Sequence, residues 1–190
     1  VEIITTAQIK ELREKSGAGI MDCRNVLMQT KGDFEKALEI LKVQSVNKAQ
    51  KRVQRTTSQG IVETYIHTGG RVGAMVELNC ETDFVARNEE FKAFVNDLAL
   101  QIAAAKPSYV KREDIPAELI EREKAIFEGQ AKELGKPPAA WPKIVEGKLE
   151  KFYQESCLLE QSFIKDPAVT VKDLVAQKIS KIGENMNIRR

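Results

Sequence analysis

The sequence predicts an α+β protein: three short helices, then a small antiparallel sheet covered by helices, with an antiparallel helical hairpin projecting from the sheet-bearing part. Three observations carry this. The hydrophobic period is helical up to about residue 55, changes to two at Ile61, and becomes helical again after Glu81. Glycine and proline punctuation at Gly17, Gly32, Gly69-Gly70, Pro107, Gly135 and Gly183 falls between the periodic stretches. Between Ile115 and Ile164 the apolar stripe narrows while charge stays dense, as in a coiled coil and unlike a globular core.

The elements follow in order. Thr5 and Gln8 have capping-box spacing, Ile9 and Leu12 share a helix face, and Ser16-Gly17 stops the first helix. A second helix runs from Ile20 through Cys23 and Leu27 to Gly32, and a third opens at Asp33 with Phe34, Ala37, Leu38 and Leu41 on one side. The third is expected to continue into Lys48, Lys51, Arg52 and Arg55, and Thr56-Thr57-Ser58-Gln59-Gly60 then reads as a polar joint. Residues 1–55 are therefore assigned to a three-helix domain with its linker, and 56–190 to a core domain carrying the hairpin at about 113–165. Val62, Thr64 and Ile66 alternate with Glu63, Tyr65 and His67, and Val72, Ala74, Val76, Leu78 and Cys80 form the matching inward set of a strand that turns at Thr68-Gly69-Gly70. Phe91, Phe94, Val95, Leu98 and Ile102 stripe the helix that covers this hairpin. Ile115, Leu119, Ile126, Phe127 and Ala131 mark one arm of the projecting pair, and Trp141, Ile144, Val145, Leu149, Phe152 and Tyr153 mark the other. Thr170 and Asp173 open a last helix, Gly183 ends it, and Asn185 to Ile188 return as a third strand.

Composition narrows the function classes. Thirty basic against 28 acidic side chains leave a net charge of +2, too small a field to favour nucleic acid by charge alone. The run from Lys48 to Arg55 could serve as a phosphate stripe, helped by Arg189-Arg190, but without interleaved aromatics a solvated linker face is favoured. Cys23, Cys80 and Cys157 form no C-x-x-C pair, which argues against a disulfide framework or zinc site and for a reducing compartment. No apolar run approaches the roughly 20 residues that cross a bilayer, and Val1-Glu2-Ile3 lacks signal-peptide features, so a cytoplasmic protein or a mature organellar form is expected. No cofactor is expected, since neither G-x-G-x-x-G after a strand nor G-x-x-x-x-G-K-[ST] occurs to hold a nucleotide. An enzyme would have to be built on the single histidine, His67, with Cys80, which the alternation places on an apolar face where a thiol behaves as a small hydrophobe.

Residues Asn79 to Asn88, NCETDFVARN, stand out because an acidic residue and a large aromatic meet between a strand and a helix. Two readings are open. Asp83 caps the following helix while Phe84 staples it to the core, or Phe84 protrudes into a partner's apolar pocket with Asp83 beside it.

Thr82-Asp83-Phe84-Val85-Ala86-Arg87-Asn88 resembles the T-D-F-V-A-[RK]-N signature of the elongation factor Ts family. Ser16-Gly17-Ala18-Gly19-Ile20-Met21-Asp22-Cys23, Gly32-Asp33-Phe34-Glu35-Lys36-Ala37 and Lys181-Ile182-Gly183-Glu184-Asn185 resemble further signatures of that family in the same order. The resemblance implies a non-catalytic guanine nucleotide exchange factor for the translational GTPase EF-Tu, acting in translation elongation, with a ubiquitin-associated-like N-terminal domain. It implies that Thr82, Asp83, Phe84 and Val85 insert near the partner's nucleotide site and dislodge magnesium, and that Gly17, Gly19, Met21, Arg87 and Asn88 supply secondary contacts; His67 at the hairpin end is either a further contact or simply an exposed residue beside the turn. The chain resembles the short form with a single core copy. Longer members cover a sheet face or edge with a second copy, so a homodimer is expected here.

Overall fold

The computed structural model describes residues 4–190; the reading of Val1-Glu2-Ile3 lies outside them. Three helices come first, α1 (Thr6–Ser16), α2 (Ile20–Gln29) and α3 (Phe34–Gln50), followed by strands β1 (Gln59–Ile66) and β2 (Gly73–Cys80). A one-turn helix α4 (Asp83–Ala86) and the long α5 (Glu89–Ala105) lead to the pair α6 (Ala117–Glu133) and α7 (Trp141–Ser156). The chain closes with β3 (Ser162–Phe163), β4 (Asp166–Thr170), α8 (Val171–Ile182) and β5 (Met186–Ile188). Helices with a three-stranded sheet and a separate two-stranded one make this the α+β fold that the periodicity predicts.

The chain divides into two compact units. The first takes residues up to 64, 75–97 and 172–190. Its helical part begins with the expected capping box: Thr5 Oγ1 accepts from the Gln8 amide at 3.3 Å while the Thr5 amide donates to Gln8 Oε1 at 2.8 Å. Gly17 ends α1 at φ +66°, a left-handed position that costs glycine nothing. Asp33 caps α3 by accepting from the Lys36 amide at 3.1 Å. Leu12, Cys23, Val26, Leu27, Ala37 and Leu41 are buried together, with Ile9, Phe34 and Leu38 packed against them. At about 1.5–3 kcal/mol for each large side chain buried, this cluster is what offsets the ordering entropy of three short helices.

Helix α3 stops earlier than its charge pattern suggests. Lys51 to Arg55 lie in successive turns, so the basic residues do not form one helical stripe. Lys48 pairs with Asp22 at 2.7 Å and Arg55 with Glu81 at 3.5 Å.

The sheet has the order β1-β2-β5, with Leu78 opposite Ile188, Asn79 opposite Asn187 and Cys80 opposite Met186. The third strand after Gly183 is thus where it was expected. Val76, Leu78 and Cys80 are buried, as the alternation predicts. On β1 the expectation fails: Val62 and Ile66 are 56% and 67% exposed. The period of two is present in β1, but that strand lies at the sheet edge and its apolar set faces out. Gly60 is obligatory there, because a Cβ would stand 2.3 Å from the Leu78 carbonyl oxygen. In α5 Phe91, Phe94 and Val95 are buried, and in α8 Val171 and Ile179 are.

The second unit takes residues 65–74 and 98–171. Helices α6 and α7 form the antiparallel hairpin, with Ala131, Val145 and Leu149 buried in its seam; Ile126, placed on that stripe from sequence, is 42% exposed. At its base Arg112 donates to both carboxylate oxygens of Glu150 at 2.7 and 2.9 Å and to Glu160 at 2.8 Å, over the ring of Tyr153. The second arm ends at Ser156, short of Ile164, and β3 pairs with β4 in a two-stranded sheet that the periodicity did not predict. Buried Gln101 holds that sheet: its amide donates to Gln161 Oε1 and the Ser162 carbonyl, and its oxygen accepts from the Ile164 amide at 2.8 Å. No helix among the described residues is long and apolar enough to cross a membrane.

Candidate functional site

The site is the turn between β2 and α5. Cys80 ends β2 fully buried, and its thiol donates to the Thr82 carbonyl at 3.2 Å. Burial first, and the charge of Glu184 second, push that thiol up to about 11, so it stays protonated near neutrality and serves as a donor. Thr82 is extended and caps α4: its hydroxyl oxygen accepts from the Val85 amide at 3.4 Å and its proton goes to Glu184 Oε1 at 2.6 Å. The turn closes through the Ala86 amide to the Thr82 carbonyl at 3.2 Å and the Arg87 amide to the Asp83 carbonyl at 3.1 Å.

Asp83 is the first residue of α4 and pairs with Arg87 at 3.0 Å. It caps nothing. The cap of α5 is Asn88, whose side-chain oxygen accepts from the Glu90 amide at 2.7 Å. Phe84 is 82% exposed, so it is no staple to the core. The cause is helical geometry: Ala86 is buried, and a residue two positions earlier at about 100° per residue lies on the opposite side of the turn. Burying the small Ala86 therefore turns the large Phe84 outward.

Glu90 lies in the first turn of α5. It pairs with Lys178 at 3.0 Å and Lys181 at 2.6 Å. Burial alone would raise its carboxyl, but hydrogen bonds from the two lysines outweigh this and hold it below the ordinary glutamate value.

The remaining sequence-predicted residues fall in two other places. Gly17 and Gly19 border the α1–α2 turn, Gly19 accepting at its carbonyl from the Cys23 amide at 3.0 Å, and Met21 is 57% exposed on the first turn of α2. His67 is exposed just past β1, its Nδ1 3.0 Å from the Tyr65 hydroxyl. Arg87 and Asn88 stay with the turn itself. Three residues escaped the sequence reading: Glu81, Glu184 and Asn185. Glu81 stood within the NCETDFVARN stretch and Glu184-Asn185 within the Lys181–Asn185 signature after a helix-stopping glycine, but neither signal says what those side chains reach. Among the described residues no group of three His, Cys, Asp or Glu side chains could hold a metal ion.

A family model described as elongation factor TS matches residues 11–185. The elongation factor Ts of Carboxydothermus hydrogenoformans is 57% identical over 188 residues, covering 99% of this chain and 87% of that protein. That of Caldanaerobacter subterraneus subsp. tengcongensis is 54% identical over 99% of this chain and 94% of its own length. That of Geobacter sulfurreducens is 53% identical over 98% and 87%. With the family model running from within α1 through the exposed turn to just past the closing helix, the chain belongs to the elongation factor Ts family.

Proposed function

We propose that this chain promotes GDP release from EF-Tu during translation elongation by inserting the Thr82–Val85 turn beside the partner's magnesium and phosphate site. Membership of the elongation factor Ts family implies a nucleotide exchange factor with EF-Tu as partner. The observation that supports the insertion is Phe84, 82% exposed on a turn fastened through the Thr82, Val85, Ala86 and Arg87 amides. A factor of this kind needs no covalent chemistry. Binding nucleotide-free EF-Tu more tightly than the GDP-bound form lowers GDP affinity by the same factor, by linkage. Phe84 supplies apolar free energy of about 2 kcal/mol when buried in a partner pocket. Asp83, already next to Arg87, brings a carboxylate close to where magnesium and its waters hold the phosphates. Met21 with Gly17 and Gly19, and separately His67, are secondary contacts in this proposal.

The experiment is release of a fluorescent GDP analogue from EF-Tu with and without the protein. Phe84→Ala is expected to slow release by about tenfold or more while the circular dichroism of the free protein stays unchanged. Wild-type release rates in that variant would remove Phe84 from its role. The same proposal includes a homodimer. Val62 and Met75, 56% and 67% exposed, line one shallow hollow with Glu77 and Arg190 on the sheet, and a second copy would cover that apolar surface. Light scattering is expected to give twice the chain mass, falling to a single mass in Met75→Asp; a monomer at working concentration argues against it.

A further inference from the structure

A polar cluster at the base of the candidate turn ties the end of β2 to the segment after α8. Gly183, at φ +92°, ends α8 and bends the chain so that the next two residues meet the end of β2. The Glu184 carboxylate then takes three donors: the Glu81 amide at 3.1 Å and the Thr82 amide at 3.1 Å on one oxygen, and the Thr82 hydroxyl at 2.6 Å on the other. Contact runs the other way as well. Glu81 Oε1 accepts from the Asn185 amide at 2.6 Å and lies 3.5 Å from Arg55. The buried Asn185 side chain donates to the carbonyls of Arg55 at 2.8 Å and Val53 at 3.3 Å, just past α3.

We propose that Glu184 is a positioning residue for nucleotide exchange, holding the Thr82–Val85 turn in its inserting geometry through the Thr82 hydroxyl and two backbone amides. This rests on the proposed insertion of that turn. Thr82 is the switch point of the arrangement: the hydroxyl that gives its proton to Glu184 is the one that accepts from Val85 and caps α4. Removing the carboxylate frees the hydroxyl to rotate, loosens the cap and leaves two amides without their acceptor. Phe84 remains in place chemically, but its direction is no longer set. A four-residue helix has too few internal hydrogen bonds to hold that direction alone. Charge-assisted hydrogen bonds from three donors to one carboxylate are the strong kind, so the local effect should be large.

The expected signature separates positioning from docking. A wedge that is present but misdirected lowers the saturating rate of GDP release more than it changes the concentration needed for half-saturation. In Glu184→Ala the saturating rate should fall by about tenfold, with half-saturation within about threefold of wild type. Hydrogen exchange at the Glu81, Thr82 and Val85 amides of the free protein should quicken by about tenfold. Glu184→Gln keeps the volume and one acceptor oxygen but not the charge, and should recover part of both effects; it also serves if the alanine variant does not fold. Wild-type amide exchange in both variants, or wild-type release kinetics, would overturn the role of Glu184. A half-saturation shift without loss of saturating rate would overturn it too, placing Glu184 in docking. If the wild-type protein fails to accelerate GDP release at all, the proposed insertion falls, and unchanged release by the variants then has no bearing; the amide-exchange arm still decides whether Glu184 holds the turn.

Discussion

The turn at Thr82–Val85 and the tip of the α6–α7 hairpin each expose a large apolar side chain, Phe84 at 82% and Leu134 at 67%, but they differ in what secures the backbone. At the hairpin tip every tie is local. The Leu134 amide reaches the Gln130 carbonyl at 3.0 Å, Gly135 turns the chain at φ +66°, and the Trp141 indole donates to the Lys136 carbonyl at 2.8 Å. At the turn, Thr82 is held by Glu184, which is 102 residues away in sequence, and by the Cys80 thiol. Exposed apolar residues are common and need no explanation one at a time. An exposed aromatic on a backbone fastened by distant, partly buried groups is different, because that fastening restricts the aromatic to one direction and lowers the entropy lost on binding. The contrast teaches that bracing, more than exposure, marks the candidate site.

The largest effect is expected beneath the turn: Phe91→Ala, seven residues from Phe84 and fully buried, should cost about 3–5 kcal/mol in urea unfolding. Phe84→Ala should cost no more than about 0.5 kcal/mol in the same measurement. Equal losses would make Phe84 a core residue and end the contrast. Next comes the hairpin base, where Arg112→Ala breaks ion pairs with two partly exposed carboxylates. About 1 kcal/mol is expected once solvent screening is allowed for, seen as faster proteolysis within α6 and α7 with GDP release unchanged. Slower release in that variant would tie the hairpin to exchange. Leu134→Ala should change neither stability by more than about 0.5 kcal/mol nor release by more than about twofold; a larger loss of release would raise the tip to the rank of the turn.

The smallest effect is a pH dependence. Glu90 has its carboxyl held below the ordinary value by Lys181 and Lys178, so its contribution to stability is fully present above the unfolded value, about 4.3, and is lost as pH falls through the lower folded value. The stability gap between wild type and Glu90→Gln should therefore be constant from about pH 7 to 6 and shrink below about pH 4, in urea midpoints taken along the series. A gap that widens on acidification would reverse the sign of the interaction.

Much of this arrangement is legible in the sequence. The Thr5 to Gln8 box, the Asp33 cap, the hairpin around Gly69-Gly70, and Gly183 followed by a strand are short-range signals, each settled by residues within a few positions of one another. The T-D-F-V-A-R-N stretch and its companions pointed to the family for the same reason. What was misread depended on distant neighbours. The outward face of β1 follows from its place at the sheet edge, since alternation sets a period of two but not which side is covered. The β3–β4 pair depends on Gln101, some 60 residues earlier, satisfying the backbone there.

Local sequence determined most of the element types, the β3–β4 pair excepted, and the presence of an acidic-aromatic turn between β2 and α5. Whether Phe84 packs in or points out was decided by tertiary structure. Ala86 had to be buried, Thr82 rather than Asp83 had to cap, and Glu184 had to arrive from the far end of the chain to accept three hydrogen bonds. Capping and packing compete locally within about 1 kcal/mol of each other, so the outcome goes to whichever distant partner the fold brings to the turn.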